Sequence, residues 1–295
     1  MTKGSWVASE AKKSRAPDRE AAAWAAQPAS SPATADRHHE LHDGIPIKVI
    51  GKVGRILDVF RREGAELALG NISSAAGIEL STTSRLVTSL VHVGMLRYDT
   101  MQRLYSPGLL VLELSRVVLN RFSFRELAHR ELIALAAETG WQCYLAVADE
   151  SDDRSLMYID AVSTATPELS EIGQRRPLHS TATGKVLLAF NGIPVDDWRL
   201  NGSTPSTHTD AEELGRELAE ARTKGFAISL EEEQIDLCSA AAPIYDGEGR
   251  VLAALGVGTT AATFSANSQR IISAVLSKAR GISSAIGLSD SGYAR

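Results

Sequence analysis

The sequence has few cysteines and no long hydrophobic run, which argues against a disulfide-rich protein and against a membrane-spanning one. Only Cys143 and Cys238 occur among the 295 residues, which is too few for a disulfide framework. No apolar stretch reaches the roughly 18 residues that a membrane-spanning helix needs. The first residues lack a continuous apolar segment, so we expect no secretory signal. These features predict a cytoplasmic protein without a membrane partner.

The motifs of common metal and nucleotide enzymes are missing as well. Neither CxxC nor HExxH occurs, so we expect no metal site and no cofactor. Ser180 follows His179, but sequence neighbours rarely form a catalytic triad, and there is no GxSxG elbow. Residues 182–185 lack the upstream glycine of a phosphate-binding loop. Glu231 and Glu232 are adjacent and point apart on an extended segment, so they do not form one acid–base site. We therefore do not expect an enzyme.

The net charge of −5 is unevenly distributed along the chain. Residues 46–107 carry eight Lys and Arg against five Asp and Glu, whereas residues 108–295 carry seventeen against twenty-five. A polyanion would therefore be bound by the first block. Residues 1–44 are rich in Ala, Ser and Pro, which predicts a disordered tail. Trp6 and Trp24 leave open that this tail contacts a partner protein.

Helical spacing and turn residues divide residues 45–107 into three helices and a hairpin. Ser81 is the expected N-cap of the third helix. The expected buried positions of that helix are Leu86, Leu90 and Val93. Two short strands are predicted near residues 96–98 and 103–105. This order is typical of a winged helix-turn-helix.

An apolar helix over residues 109–120, within a linker at 108–121, leads to a second domain at 122–289. The helix is too hydrophobic for a free linker, so it is either a dimer contact or part of an intradomain core. The sequence pattern of the second domain predicts the element order α-β-β-α-α-β-β-β-α, with a short strand near 169–172. This order favours an antiparallel sheet with helices packed beside it, and hence an α+β fold class. Residues 290–295 are expected to be a tail.

Short motifs in both domains resemble the IclR family of bacterial transcription regulators. The matching segments are Ser81-Thr82-Thr83-Ser84-Arg85-Leu86, Leu104-Tyr105-Ser106-Pro107-Gly108, Pro177-Leu178-His179-Ser180-Thr181-Ala182-Thr183-Gly184-Lys185, Glu231-Glu232, Ala241-Ala242-Pro243-Ile244 and Leu252-Ala253-Ala254-Leu255. They span about residues 45–288. The resemblance implies a winged helix-turn-helix joined by a helix to a GAF-like effector-binding domain. It also implies homodimers or dimers of dimers (homotetramers) that bind double-stranded DNA and respond to small metabolites.

With that resemblance, the third helix is the candidate DNA-reading element. Small polar residues in its first turn let a helix enter the major groove, and Arg85 can pair with guanine or contact a phosphate. Alternatively, Ser81 is only a helix cap and Arg85 only a surface charge. Ser84 replaces a bulkier polar residue often found there in the family, which bears on the operator sequence. The candidate DNA-binding residues are Ser81, Thr82, Thr83, Ser84, Arg85, Ser89 and, in the wing, Arg103. A two-fold dimer on a palindromic operator would double the contacts of one short helix.

Hydroxyl groups precede the predicted helix at 182–190. The unpaired N–H groups of its first turn suit a carboxylate. The resemblance implies that the backbone of Ala182 and Thr183 contributes to an effector pocket, together with polar side chains of the later strands. His179 is either a hydrogen-bond donor in this pocket or a structural residue that braces the loop.

Three pocket positions depart from the family pattern. Ser229 stands where an Asp can occur, and Gly256 and Gly258 stand where serines can occur. We therefore expect more space and a larger or more apolar ligand, such as an aromatic acid. The candidate effector-binding residues are His179, Ser180, Ala182, Thr183, Ser229, Ser239, Gly256 and Gly258.

The sequence thus predicts a ligand-responsive bacterial DNA-binding regulator, either a repressor or an activator. Its C-terminal domain is expected to bind a small-molecule carboxylate and to alter operator binding. Two alternatives remain open, namely a hydrolase-like protein and a protein-interaction module without specific DNA binding.

Overall fold

Three helices and a two-stranded hairpin form the first domain, as the sequence predicts. The computed structural model describes residues 47–163, 171–196 and 198–292, so the expected tail at 1–44 lies outside the described residues. The elements are α1 (Lys48–Glu63), α2 (Leu69–Ala76), α3 (Leu80–His92), β1 (Leu96–Asp99) and β2 (Leu104–Pro107). The two strands are antiparallel. Their shared core includes Ile56, Val59, Ile72, Val87, Leu90 and Leu96.

The start and the buried face of α3 differ from the sequence prediction. Glu79, not Ser81, is the N-cap, because its carboxylate accepts hydrogen bonds from the backbone N–H groups of Ser81 and Thr82. Val93 was expected to be buried, but 57% of its surface is exposed. Leu90 is buried as predicted, Leu86 is half-buried, and the other buried positions are Thr83 and Val87. The inward face is therefore rotated relative to the predicted one.

A single exposed helix, α4 (Leu109–Leu119), connects the two domains. None of its residues is buried, so the structure does not place it in an intradomain core. At its start, the Gly108 N–H donates to the Met95 carbonyl at 2.8 Å. At its end, Leu119 packs against the core of the second domain. Contacts with the two domains thus fix both ends of the helix, while the apolar side chains in its middle are exposed to solvent.

The second domain is an antiparallel sheet with helices on both sides. Its elements are α5 (Arg125–Thr139), β3 (Gln142–Ala148), β4 (Ser155–Val162), β5 (Arg175–Pro177), α6 (Ala182–Asn191), α7 (Ala211–Lys224), β6 (Ala227–Leu230), β7 (Leu237–Tyr245), β8 (Val251–Thr260) and α8 (Ala261–Gly292). The six strands lie in the order β5-β4-β3-β8-β7-β6. A strand was expected near 169–172, of which the structure describes residues 171 and 172. This prediction is wrong for these two residues, because Ile172 lies in a turn and the strand is Arg175–Pro177.

Alternation along the central strands produces two separate cores. Leu145, Leu255 and Val257 face α5 and α8 in one core. Tyr144 and Ala254 lie on the opposite face, which α6 and α7 cover. Side chains of adjacent strand residues point to opposite faces, so the register fixes which residues share a face with α6. That face carries the pocket positions predicted on β6, β7 and β8.

Within the described residues, no helix combines the length and the apolar character needed to cross a bilayer.

Candidate functional site

One face of α3 presents polar side chains to solvent. Ser81, Arg85 and Ser89 are exposed on it, as predicted. Thr88 and His92 were not predicted, but they are exposed and follow Arg85 at intervals of three and seven residues. Such spacing places the residues on one helical face. The pattern was readable from the helix period once the buried positions were assigned correctly.

The first turn of α3 is organised by Glu79. Its carboxylate oxygens accept hydrogen bonds from Ser81 N at 2.9 Å and from Thr82 N at 3.0 Å, and also from the Ser81 hydroxyl. These hydrogen bonds lower the pKa of Glu79 to about 2, the Ser81 hydroxyl contributing most. The carboxylate therefore stays charged at the positive end of the helix, where it stabilises the helix.

Thr83 does not belong to the exposed face. It is fully buried, and its hydroxyl donates to the carbonyls of Ile78 and Glu79. The prediction that Thr83 contacts DNA is therefore wrong. Ser84 is half-buried, and the Ser89 hydroxyl donates to the Arg85 carbonyl at 2.9 Å.

The hairpin presents Arg103 at its tip. Its φ of 58° lies in the left-handed region, and its side chain is exposed. Asp99 supports this turn by accepting hydrogen bonds from the N–H groups of Met101 and Gln102 at 2.9 and 3.0 Å. The tight turn thus projects a cation beyond the end of the two strands.

In the second domain, the start of α6 is fixed by Thr181. Its hydroxyl donates to the Pro177 carbonyl at 2.8 Å and accepts the Gly184 N–H at 3.1 Å. A Cβ atom on Gly184 would lie only 2.2 Å from the Leu178 carbonyl oxygen, so glycine is required for this close approach. Ala182 and Thr183 follow and are both buried.

Hydrogen bonds connect the predicted pocket residues around this turn. The Ser229 hydroxyl donates to the Ser180 carbonyl at 2.9 Å, which ties β6 to the start of α6. His179 Nε2 lies 3.1 Å from the Asn201 carbonyl, which fits the structural alternative for this residue. The Ser180 hydroxyl is buried and has no hydrogen-bond partner among the described residues. Ser239 lies between Ser229 and Gly258 in the sheet register.

The space expected above the two pocket glycines is already filled. A Cβ atom on Gly256 would lie 2.5 Å from Cγ2 of Thr183. A Cβ atom on Gly258 would lie 3.1 Å from the ring of Tyr144. Both glycines therefore admit close neighbours rather than open the pocket, and the expectation of extra room at these positions is wrong.

Sequence reasoning missed a group of aromatic and charged residues on the same side of the domain. The rings of Tyr144 and Tyr158 stack with centroids 4.8 Å apart. Arg176 lies between two carboxylates, with Glu171 at 2.8 Å and Glu233 at 2.9 Å. Burial raises the pKa of both tyrosines and of Glu233, and nearby charges modify these shifts. The adjacent Arg175-Arg176 pair before Pro177 was the signal available in the sequence.

A second buried ion cluster centres on Lys185. Its ammonium nitrogen lies 2.7 Å from a carboxylate oxygen of both Glu217 and Glu232. His208, Glu217 and Glu232 could hold a metal ion by their mutual distances, but the ammonium of Lys185 already supplies the positive charge there. Glu232 therefore orders its loop and is not part of an acid–base pair with its neighbour.

Comparison with known proteins covers both domains. Residues 116–284 match the family described as bacterial transcriptional regulator IclR C-terminal, and residues 49–100 match the IclR helix-turn-helix domain. The HTH-type transcriptional regulator XynR of Escherichia coli is 30% identical over 220 residues, which cover 72% of this chain and 86% of XynR.

Solved structures share the fold. The Thermotoga maritima IclR structure is 27% identical, with a TM-score of 0.65, and the match covers 81% of this chain and 98% of that one. An IclR homologue from Microbacterium hydrocarbonoxydans, complexed with 4-hydroxybenzoate, is 24% identical with a TM-score of 0.69. That match covers 80% of this chain and 98% of the homologue.

Proposed function

Because the chain belongs to the IclR family of transcriptional regulators, we propose that it binds operator DNA through α3 and a small organic acid through its C-terminal domain. The observation that carries the proposal is the exposed polar face of α3. Arg85, Thr88 and Ser89 lie on that face and offer donors and acceptors to base edges and phosphates. Arg103 in the wing is placed for a phosphate or minor-groove contact.

The proposed DNA-binding unit is a homodimer. Leu112, Leu114, Val117 and Val118 of α4 are each half or more exposed. An exposed apolar surface of this kind usually marks a contact with a partner. We propose that this partner is a second copy of the chain, because a two-fold dimer would place two α3 helices on the half-sites of a palindromic operator. Pairing of two such dimers would give a homotetramer.

The proposed effector is a small aromatic acid bound on the face of the sheet that α6 covers. The stacked tyrosines offer an aromatic surface, and Arg176 offers a guanidinium group to a carboxylate. The 4-hydroxybenzoate bound by the Microbacterium homologue is of the same chemical class. We carry this class to the present chain as part of the proposal.

Ligand binding would change DNA affinity through α4. This helix is fixed to the first domain at Gly108 and packs on the second domain at Leu119. The effect on DNA binding can only be as large as the ligand's preference for one arrangement of the dimer over the other. Either sign is compatible with this mechanism, so the protein is a repressor or an activator.

A gel-retardation assay with DNA from upstream of the protein's own gene tests the proposed function. We expect a discrete complex at nanomolar protein that weakens by about tenfold or more between low and physiological salt. Size-exclusion chromatography of the same sample should give at least a dimer. A monomer that forms only diffuse complexes at micromolar concentrations would contradict the proposal.

A further inference from the structure

We propose that, without ligand, the Glu233 carboxylate binds the guanidinium group of Arg176 where the carboxylate of an effector would bind. An aromatic acid then binds by displacing Glu233 from that group. This inference rests on the proposed function, because it concerns the same pocket. It assigns Arg176 as the carboxylate receptor and Glu233 as an internal competitor. It also places the 231–236 loop under control of the ligand.

The contacts of Arg176 suit an exchange of this kind. Its Nε lies 2.9 Å from Oε1 of Glu233, and its Nη2 lies 2.8 Å from Oε2 of Glu171. These two nitrogens form one edge of the guanidinium group, which one carboxylate can bind bidentately. Here the edge is divided between two carboxylates. A ligand carboxylate could take the place of Glu233 at Nε while Glu171 stays on Nη2.

Charge and burial make Glu233 the replaceable partner. Arg176 is 13% exposed and Glu233 is 17% exposed, so both lie largely out of water. Burial raises the pKa of Glu233, Arg176 opposes this shift and the Glu171 carboxylate adds to it. Two carboxylates against one guanidinium leave an excess negative charge in a partly dry site. Departure of the Glu233 carboxylate therefore offsets the negative charge that a ligand carboxylate brings next to Glu171.

The surroundings of Arg176 suit a planar ring. Tyr144 and Tyr158 stack at an interplanar angle of 20° and interact electrostatically with Arg176 and Glu233. The side chain of Gln142 lies on the same sheet face as Tyr144, two residues away along β3. Its amide nitrogen is buried and has no hydrogen-bond partner among the described residues. An unpartnered buried donor is costly and is expected where a ligand supplies the acceptor.

Displacement of Glu233 would be transmitted to the loop that carries it. This loop is fixed from one side by Thr204 and Thr207, whose hydroxyls donate to the carbonyls of Glu231 and Glu232, each at 2.6 Å. Its other end is tied to α8, because Asp236 accepts the Ala261 N–H at 3.0 Å. The loop therefore connects the pocket to the start of a helix that packs along the sheet.

Isothermal titration calorimetry with 4-hydroxybenzoate tests the exchange. We expect Glu233→Gln to bind about tenfold more tightly than the wild type, since it removes the competing charge, and Arg176→Met to lose about tenfold or more. Glu212→Gln on the exposed start of α7 is the matched control and should bind as the wild type does. Melting curves of all four proteins identify any variant that fails to fold, and Glu233→Ala then provides a second test.

A second readout separates displacement from simple charge relief. Without ligand, Glu233→Gln and Glu233→Ala should change operator affinity in the direction in which 4-hydroxybenzoate changes it for the wild type. The proposal would be overturned if Glu233→Gln and Glu233→Ala both bind 4-hydroxybenzoate no more tightly than the wild type does. It would also be overturned if Arg176→Met binds the acid as tightly as the wild type does. If no protein of the set binds the acid while operator binding stays intact, the exchange is refuted and the regulator function stands. Loss of operator binding by the wild type would refute the proposed function instead.

Discussion

Replacing Gly108 by alanine should disturb the junction between the DNA-binding domain and α4. A Cβ atom at this position would lie 2.1 Å from the Gly94 carbonyl oxygen, 0.9 Å short of the 3.0 Å below which real Cβ contacts essentially never occur. It would also lie 2.9 Å and 3.0 Å from the carbonyl carbons of Gly94 and Met95. All three atoms are backbone, so no side-chain rotation can relieve the clash. The start of α4 must move away from the turn that joins α3 to β1.

We expect Gly108→Ala to lower the free energy of unfolding by about 1–3 kcal/mol, the usual cost of overpacking. Gly70→Ala in α2 is the matched control, because a Cβ atom there meets nothing within 4 Å. Because Gly70 lies in the first turn of the helix, that change should raise the free energy of unfolding by no more than about 0.5–1 kcal/mol and should not lower it. Urea denaturation of the three proteins measures both effects, and size-exclusion chromatography reports whether the dimer survives. A Gly108→Ala protein as stable as Gly70→Ala would refute the reasoning.

Three further predictions follow from buried or capping groups. Glu79→Ala should lower the melting temperature of the DNA-binding domain, measured by circular dichroism. In the wild type, the stabilisation by this carboxylate is fully present above its ordinary pKa of 4.5 and is lost as pH falls toward about 2. Lys185→Met should destabilise the second domain by about 3–5 kcal/mol, because it leaves the buried carboxylate of Glu232 without its cation, and urea denaturation would detect this loss. Burial raises the pKa of Cys143 to about 12 and also raises that of Cys238, so neither thiol should react with Ellman's reagent before unfolding.

The sequence predicted element types better than details of their faces. Apolar periodicity located the helices of the first domain, and turn residues located the hairpin. The N-cap of α3 was missed because cap preferences favour Ser81, whereas here the longer side chain of Glu79 accepts the N–H groups of Ser81 and Thr82. Thr83 was placed on the exposed face and Val93 on the buried one, whereas Thr83 is fully buried and Val93 is 57% exposed.

In the second domain, the sheet face that carries the predicted effector-binding positions was predictable, but the side chains that pack against it were not. Alternation along the strands correctly placed Gly256 and Gly258 on one face. Which side chains fill the space above them depends on contacts with distant segments, here Thr183 and Tyr144. The ion pair between Arg176 and Glu233 joins residues 57 positions apart, and local sequence carries no signal for such a pairing.

The most direct test of the account is operator binding by Arg85→Ala. Its matched control is Arg130→Ala, which removes an exposed arginine from α5 in the other domain. We expect the first variant to lose operator affinity by about 1–3 kcal/mol while keeping the wild-type melting temperature, and the control to bind as the wild type does. If Arg85→Ala binds the operator as tightly as Arg130→Ala, α3 is not the DNA-reading element and the central claim fails.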